Sequence, residues 1–183
     1  MLASATHGAE PPAAVKHYTF DLVTLNLSST ARKSQRGETL RIQVPSAMTD
    51  EELESVKSML DDLHASPPDN AGHRHFEMSN GTRVRIGGFI EDPEVSGAGV
   101  QRLPVEFSVK EEFSTAEAEL VLRMATKANL FVAHAEDPTL VATTYPVTDR
   151  PFRKEHPRAS VTADEQSLAE WVRQNIPARD VAP

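Results

Sequence analysis

Three times along this chain a Ser or Thr stands three positions ahead of a glutamate, just before a run of apolar side chains at helical spacing: Thr49 with Glu52, Ser114 with Glu117, and Thr162 with Glu165. The spacing is that of a capping box, in which each side chain bonds the other residue's backbone N–H, so it predicts three helix starts. Behind the first come Leu53, Val56, Met59, Leu60 and Leu63; behind the second, Leu120, Val121, Met124, Ala125 and Ala128; behind the third, Leu168, Trp171, Val172 and Ile176. Each stripe has to be buried against something. The stretch "SPPDNAG" stops the first helix, Asn129 the second and Pro177 the third.

Between these helices the apolar period changes from about four to two, the signature of strands. From Lys16, "KHYTFDLVTLNL" alternates Tyr18, Phe20 and Leu22, then shifts phase to Val23, Leu25 and Leu27, which predicts either a bulge or a strand covered on both faces. After a polar loop, "SSTARKSQRG", the stretch "ETLRIQV" aligns Leu40, Ile42 and Val44 as a half-buried strand expected to pair with the first. "HFEMSNGTRVRI" reads as a hairpin with a three-residue loop, Ser79, Asn80 and a left-handed Gly81. That register pairs Phe76 with Val84 and Met78 with Thr82, and sets His75 opposite Arg85 and Glu77 opposite Arg83 on the other face.

"GGFIEDPEVSGAGVQR" reads as a flexible connection to the strand "LPVEFSV". "LFVAHA" and "TLVATTY" flank "EDP" as a second hairpin, apolar enough to be central, and "PVTDRPFRKEHPRAS" reads as a basic loop. The expected fold class is α+β, a largely antiparallel sheet of about six or seven strands with three helices packed on it. It is expected as one domain over residues 16–177, between a disordered lead-in, 1–15, and a disordered tail, 178–183.

Composition removes several function classes. The chain has no cysteine, which excludes thiol nucleophiles, cysteine–zinc sites and disulfides. Its net charge of −8 repels a phosphate backbone, and aromatics at 5% supply few platforms for stacked bases, so nucleic acid is not the expected partner. No run approaches the roughly 18 apolar residues of a membrane span, and the N-terminal "MLASATHGAEPPAAV" lacks the charged start and apolar core of a secretory signal. The expected compartment is cytoplasmic, with a processed, exported accessory protein as an alternative reading.

Four groups of side chains carry the candidate chemistry. His73, His75 and Glu77 alternate along one strand and share a face, a spacing from which a metal-dependent enzyme could draw its ligands. With Arg83 and Arg85 opposite, His73 and His75 form instead a face that suits a carboxylate or phosphate on a partner, because the planar guanidinium donates to either bidentately. Arg150, Arg153, Lys154 and Arg158 make a basic patch, offset by Glu155, in an otherwise acidic chain. Glu51, Glu54 and Asp61 line the wet side of the first helix, with Asp62 beside them, and suit a basic partner. His134, close to Glu136 and Asp137, has two readings, a general base held by a carboxylate or a histidine bonded to backbone.

There is no Gly-x-Ser-x-Gly elbow, no dinucleotide fingerprint and no phosphate loop in the sequence. The residues therefore favour a non-catalytic protein-binding module, of the immunity, inhibitor or regulatory-adaptor kind, needing no cofactor. The alternative is the metal-dependent enzyme built on His73, His75 and Glu77.

Overall fold

The computed structural model of the chain describes residues 14–89 and 99–181. Most of the expected lead-in and part of the expected connection after Gly88 lie outside those residues. The elements run β1 (Val15–Thr24), β2 (Leu27–Lys33), β3 (Thr39–Pro45), α1 (Asp50–Asp62), β4 (Arg74–Glu77), β5 (Arg83–Ile86), β6 (Arg102–Val109), α2 (Thr115–Lys127), β7 (Leu130–His134), β8 (Val141–Thr143), α3 (Arg150–Glu155), β9 (Ser160–Val161), α4 (Glu165–Asn175) and β10 (Arg179–Val181). This is the expected α+β class. The main sheet has eight strands in the order β4-β5-β6-β1-β7-β8-β9, with β10 also paired to β1. Every pairing is antiparallel except β8 with β9.

Alternation decides which way each strand faces. Tyr18, Phe20 and Leu22 of β1, Val84 and Ile86 of β5, Leu103, Val105, Phe107 and Val109 of β6, and Leu130 and Val132 of β7 all turn to one side, where they are buried with the apolar stripes of α1, α2 and α4. Phe113, next to the α2 cap, is fully buried among Tyr18, Phe20 and Phe107, with ring centroids 5.2–6.1 Å away. Aromatic edges meeting faces in this way add to the apolar burial itself.

The phase shift in β1 has no bulge behind it. Val23 and Leu25 face the other side of the sheet and pack there with Phe131, Ala133, Val141 and Phe152, so this end of β1 is covered on both faces. The cover is α3, which lies where the sequence suggested only a loop. Pro151 sits in its first turn, where a missing N–H costs no helical hydrogen bond.

Three further expectations are corrected. Leu40, Ile42 and Val44 do not pair with β1; β3 pairs with β2, formed from the supposed polar loop, as a separate two-stranded ribbon. Residues 179–181, expected in a disordered tail, run beside Val15–His17 as β10. The helix α4 begins two residues after the predicted box. Asp164 is its N-cap and accepts from Ser167 N–H at 2.7 Å, while Thr162 is buried and its N–H donates to Thr143 O at 2.8 Å. Aspartate outcompetes threonine as a cap, and Thr162 is already committed to the sheet.

The second box carries more than a helix start. Glu117 is 1% exposed, and its carboxylate accepts from Ser114 N–H at 2.8 Å, from the Ser114 hydroxyl, from Thr82 Oγ1 at 2.5 Å and from Asn80 Nδ2 at 2.6 Å. One buried anion thus joins the start of α2 to the turn of the β4–β5 hairpin. Burial opposes its ionisation, but the four hydrogen bonds outweigh this and hold its carboxyl below the usual glutamate range.

Glu117→Ala is expected to cost about 2–4 kcal/mol in urea unfolding at neutral pH, because it strips the cap and leaves the buried Thr82 hydroxyl without its acceptor. The pH dependence has a definite sign. A carboxyl with a lowered folded-state pKa contributes fully above the ordinary glutamate range and loses that contribution as pH falls toward the folded-state value. Wild-type stability is therefore expected to drop on acidification by more than that of Glu117→Gln; equal acid sensitivity of the two proteins would contradict the assignment.

Candidate functional site

The β4–β5 hairpin adopts the expected register. Phe76 is the Cα partner of Val84, His75 of Arg85 and Glu77 of Arg83, and Met78 N–H donates to Thr82 O at 2.8 Å. Gly81 has φ +81°, the left-handed conformation the three-residue loop requires. Val84 and Ile86 turn to the core; His75, Glu77, Arg83 and Arg85 are exposed on the outer face of the sheet.

Beside the expected residues, the fold brings in three others. Glu106 of β6 stands between the newcomer His17 of β1, 2.9 Å from its Nδ1, and the expected Arg85, 3.7 Å from its Nη1. Arg85 Nη2 in turn lies 3.1 Å from His73 Nδ1. The His73 ring is able to lie flat against the end of β5 because residue 87 is glycine; a Cβ there would be 2.9 Å from His73 Cδ2. The third newcomer is Asp69. Its Oδ1 accepts from the N–H groups of Ala71 and His73, both at 2.9 Å, and its Oδ2 lies 3.3 Å from His75 Nε2. The His73 N–H does most to hold the Asp69 carboxyl well below its usual range; burial opposes it, and His75 and the Ala71 N–H add to the lowering.

The result is a continuous polar chain, Asp69, His73, Arg85, Glu106 and His17, running from the segment before β4 across β5, β6 and β1. Beside it His17, His75, Glu77, Arg83, Arg85, Glu106 and Ser108 surround an open depression of about 450 Å³. The helices α1, α2 and α4 lie on the opposite side of the sheet.

Arg74 departs from its neighbours. It is 7% exposed and points inward, where its guanidinium donates to Ser66 O at 2.8 Å, to Ala65 O at 3.2 Å and to Asp61 Oδ1 at 2.5 Å. It thereby fastens the chain that leaves α1. Asp61 is in turn paired with Arg74, and Glu54 with Lys57 at 2.7 Å, yet both carboxylates stay exposed, as do Glu51 and Asp62, so the acidic stripe proposed for a partner remains at the surface.

The three ligands proposed for a metal are not brought together. Among the described residues no three of His, Asp and Glu are placed to hold one ion. The His73 and His75 rings are 6.5 Å apart, His73 precedes β4 and is taken up by Asp69 and Arg85, and Glu77 lies at the far end of the strand. A guanidinium beside the imidazole repels a cation from this site. His134 takes the backbone reading. Its Nδ1 accepts from the N–H groups of Glu136 and Asp137 at 3.0 and 2.9 Å, which places its ring proton on Nε2, and among the described residues no carboxylate is bonded to the ring.

The basic patch is exposed as expected. Arg150, Arg153 and Lys154 are on α3 and Arg158 follows it, on the same side of the sheet as Arg83 and Arg85. Sequence reasoning missed His17, Asp69 and Glu106. Glu106 and His17 are 89 positions apart, and only sheet register unites them; for Asp69, the "DNAG" turn immediately before His73 is the one local signal.

No protein-family model matches the chain, and neither does any curated protein or solved structure.

If Asp69 organises this site, Asp69→Ala is expected to speed amide hydrogen exchange at Ala71 and His73 by about tenfold or more while exchange in β6 is unchanged. Unaltered exchange at both amides would remove Asp69 from that role.

Proposed function

We propose that this chain is a non-catalytic protein-binding module, of the immunity, inhibitor or regulatory-adaptor type, and that it engages an acidic segment of its partner through the outer face of the sheet. One observation carries the reading: Arg83, Arg85 and His75 stand around an open depression that none of the larger helices covers. Arg85, held by Glu106 and His73, loses less side-chain entropy on meeting a carboxylate than a free arginine would. Glu106 and Asp69 neutralise part of the charge and hold Arg85 and the two histidines in place, which favours a selective surface over a merely sticky one.

The basic residues of α3 extend the same surface. With Arg150, Arg153, Lys154 and Arg158 on that side, a partner crossing the sheet meets cationic groups at both ends, while the acidic stripe of α1 lies on the opposite layer. Charge of opposite sign on the two sides orients an approaching partner before contact.

The test is capture of partners from the source cell under reversible cross-linking, with cross-linked positions read by mass spectrometry. Contacts are expected on β4, β5 and α3, and Arg83→Glu with Arg85→Glu is expected to weaken the complex about a hundredfold, whereas Glu51→Lys leaves it within about threefold. A partner that is retained equally by the doubly reversed variant, or no retained partner at all, overturns the proposal.

A further inference from the structure

Among the described residues, nothing covers the ribbon of β2 and β3. Its strands pack on each other and on no other helix or strand to a like extent, and none of its residues is buried. Pairing of Ser28 with Val44, Thr30 with Ile42 and Arg32 with Leu40 puts the three apolar side chains of β3 in one row on one face; Leu40 is 50% exposed. An isolated two-stranded ribbon is marginal in water, and an apolar row on it is a surface waiting for contact.

The root of the ribbon, by contrast, is firmly built. Asn26 Nδ2 donates to Glu52 of the α1 capping box at 2.6 Å, Asn26 Oδ1 accepts from Asn129 at 2.8 Å, and Asn129 Oδ1 accepts from Tyr145 at 2.7 Å. Ser46 N–H closes the base on Asn26 O at 2.9 Å. A fixed root under an uncovered arm of seven residue pairs, about 23 Å long at 3.3 Å per residue, is the construction of an arm that reaches another molecule.

Charge identifies which molecule. Residues 27–45 carry Arg32, Lys33, Arg36 and Arg41 against Glu38 alone, a net charge of +3, while the whole chain carries −8. The helix α1 concentrates the opposite sign, with six carboxylates against Lys57. We infer that the ribbon docks on the α1 face of a second copy of this chain, each copy lending its arm to the other. A two-fold arrangement uses the same complementary pair twice and closes on itself, so it stops at a dimer. Nucleic acid is the less favoured occupant of a basic ribbon here, because the strongly acidic body attached to it would be carried against the phosphates.

Sedimentation equilibrium of the full chain tests this. The expected result is a dimer that weakens by about tenfold or more between roughly 50 mM and 500 mM salt. Arg32→Glu with Arg41→Glu, and separately Glu51→Lys with Glu54→Lys, are each expected to raise the dimer Kd at least about tenfold, and an equimolar mixture of the two variants is expected to recover a mixed dimer. Leu40→Ser, at an exposed position, is expected to weaken the dimer while leaving the Tm measured at monomeric dilution unchanged, which separates loss of docking from loss of fold. A monomer at about 0.5 mM and low salt overturns the inference, as does a dimer indifferent to both reversals. Tight binding of duplex DNA that is lost in Arg32→Glu with Arg41→Glu overturns it in favour of a nucleic-acid arm. Because none of these substitutions lies on the outer sheet face, the outcome is independent of whether that face binds its own partner.

Discussion

A single buried carboxylate fixes how the two layers of this protein meet. Glu117 accepts from the start of its own helix and from two residues of a hairpin turn 35 and 37 positions earlier in the chain. Either half alone is ordinary: a capping box, or a turn closed by Asn80 and Gly81. Joined through one anion shielded from water, they lock the entry of α2 to the end of the sheet that carries the histidines and arginines. The hydrogen bonds must be complete, since a buried charge lacking one of its donors is far more costly than an apolar residue of the same size. Phe113, buried immediately before the cap, secures the same junction from the apolar side.

With that junction set, the sheet acquires two unlike faces. Its inner face is closed by α1, α2 and α4. Among the described residues, its outer face is closed at the β7–β8 end, by α3, and is left open at the β4–β6 end. Alternation then sorts the chemistry: every second residue of β5 is apolar and goes inward, and the arginines between them have to go outward. The polar chain from Asp69 to His17 follows from strand order, because β6 stands between β5 and β1 and supplies Glu106 as the link.

The basic features of this acidic chain occupy places the hydrophobic core does not use. Arg83 and Arg85 are on the open sheet face, the α3 residues on a small satellite cover, and the ribbon cations on an arm with no fully buried residue. Arg74 is the exception that makes the distinction clear. Placed one residue from His75 and therefore facing inward, it is consumed by backbone carbonyls and Asp61 and contributes to stability instead of to a surface. Adjacent residues of a strand thus serve opposite ends.

What the sequence determined by itself was local: the starts of α1 and α2, the buried stripes of all three long helices, the alternation of β6, and the register of the β4–β5 hairpin down to the left-handed Gly81. Short-range sterics and periodicity govern those features, and both are written in neighbouring residues. What only the tertiary structure decided was non-local. Val23 and Leu25 needed α3 to cover them, β3 took β2 as its partner instead of β1, Arg179–Val181 found an edge beside Val15–His17, and His73, Arg85, Glu106 and His17 became neighbours across three strands. Nothing in a residue's own neighbourhood specifies which distant strand will satisfy its backbone or which distant carboxylate will face its ring; that choice is made by the burial of the whole core at once.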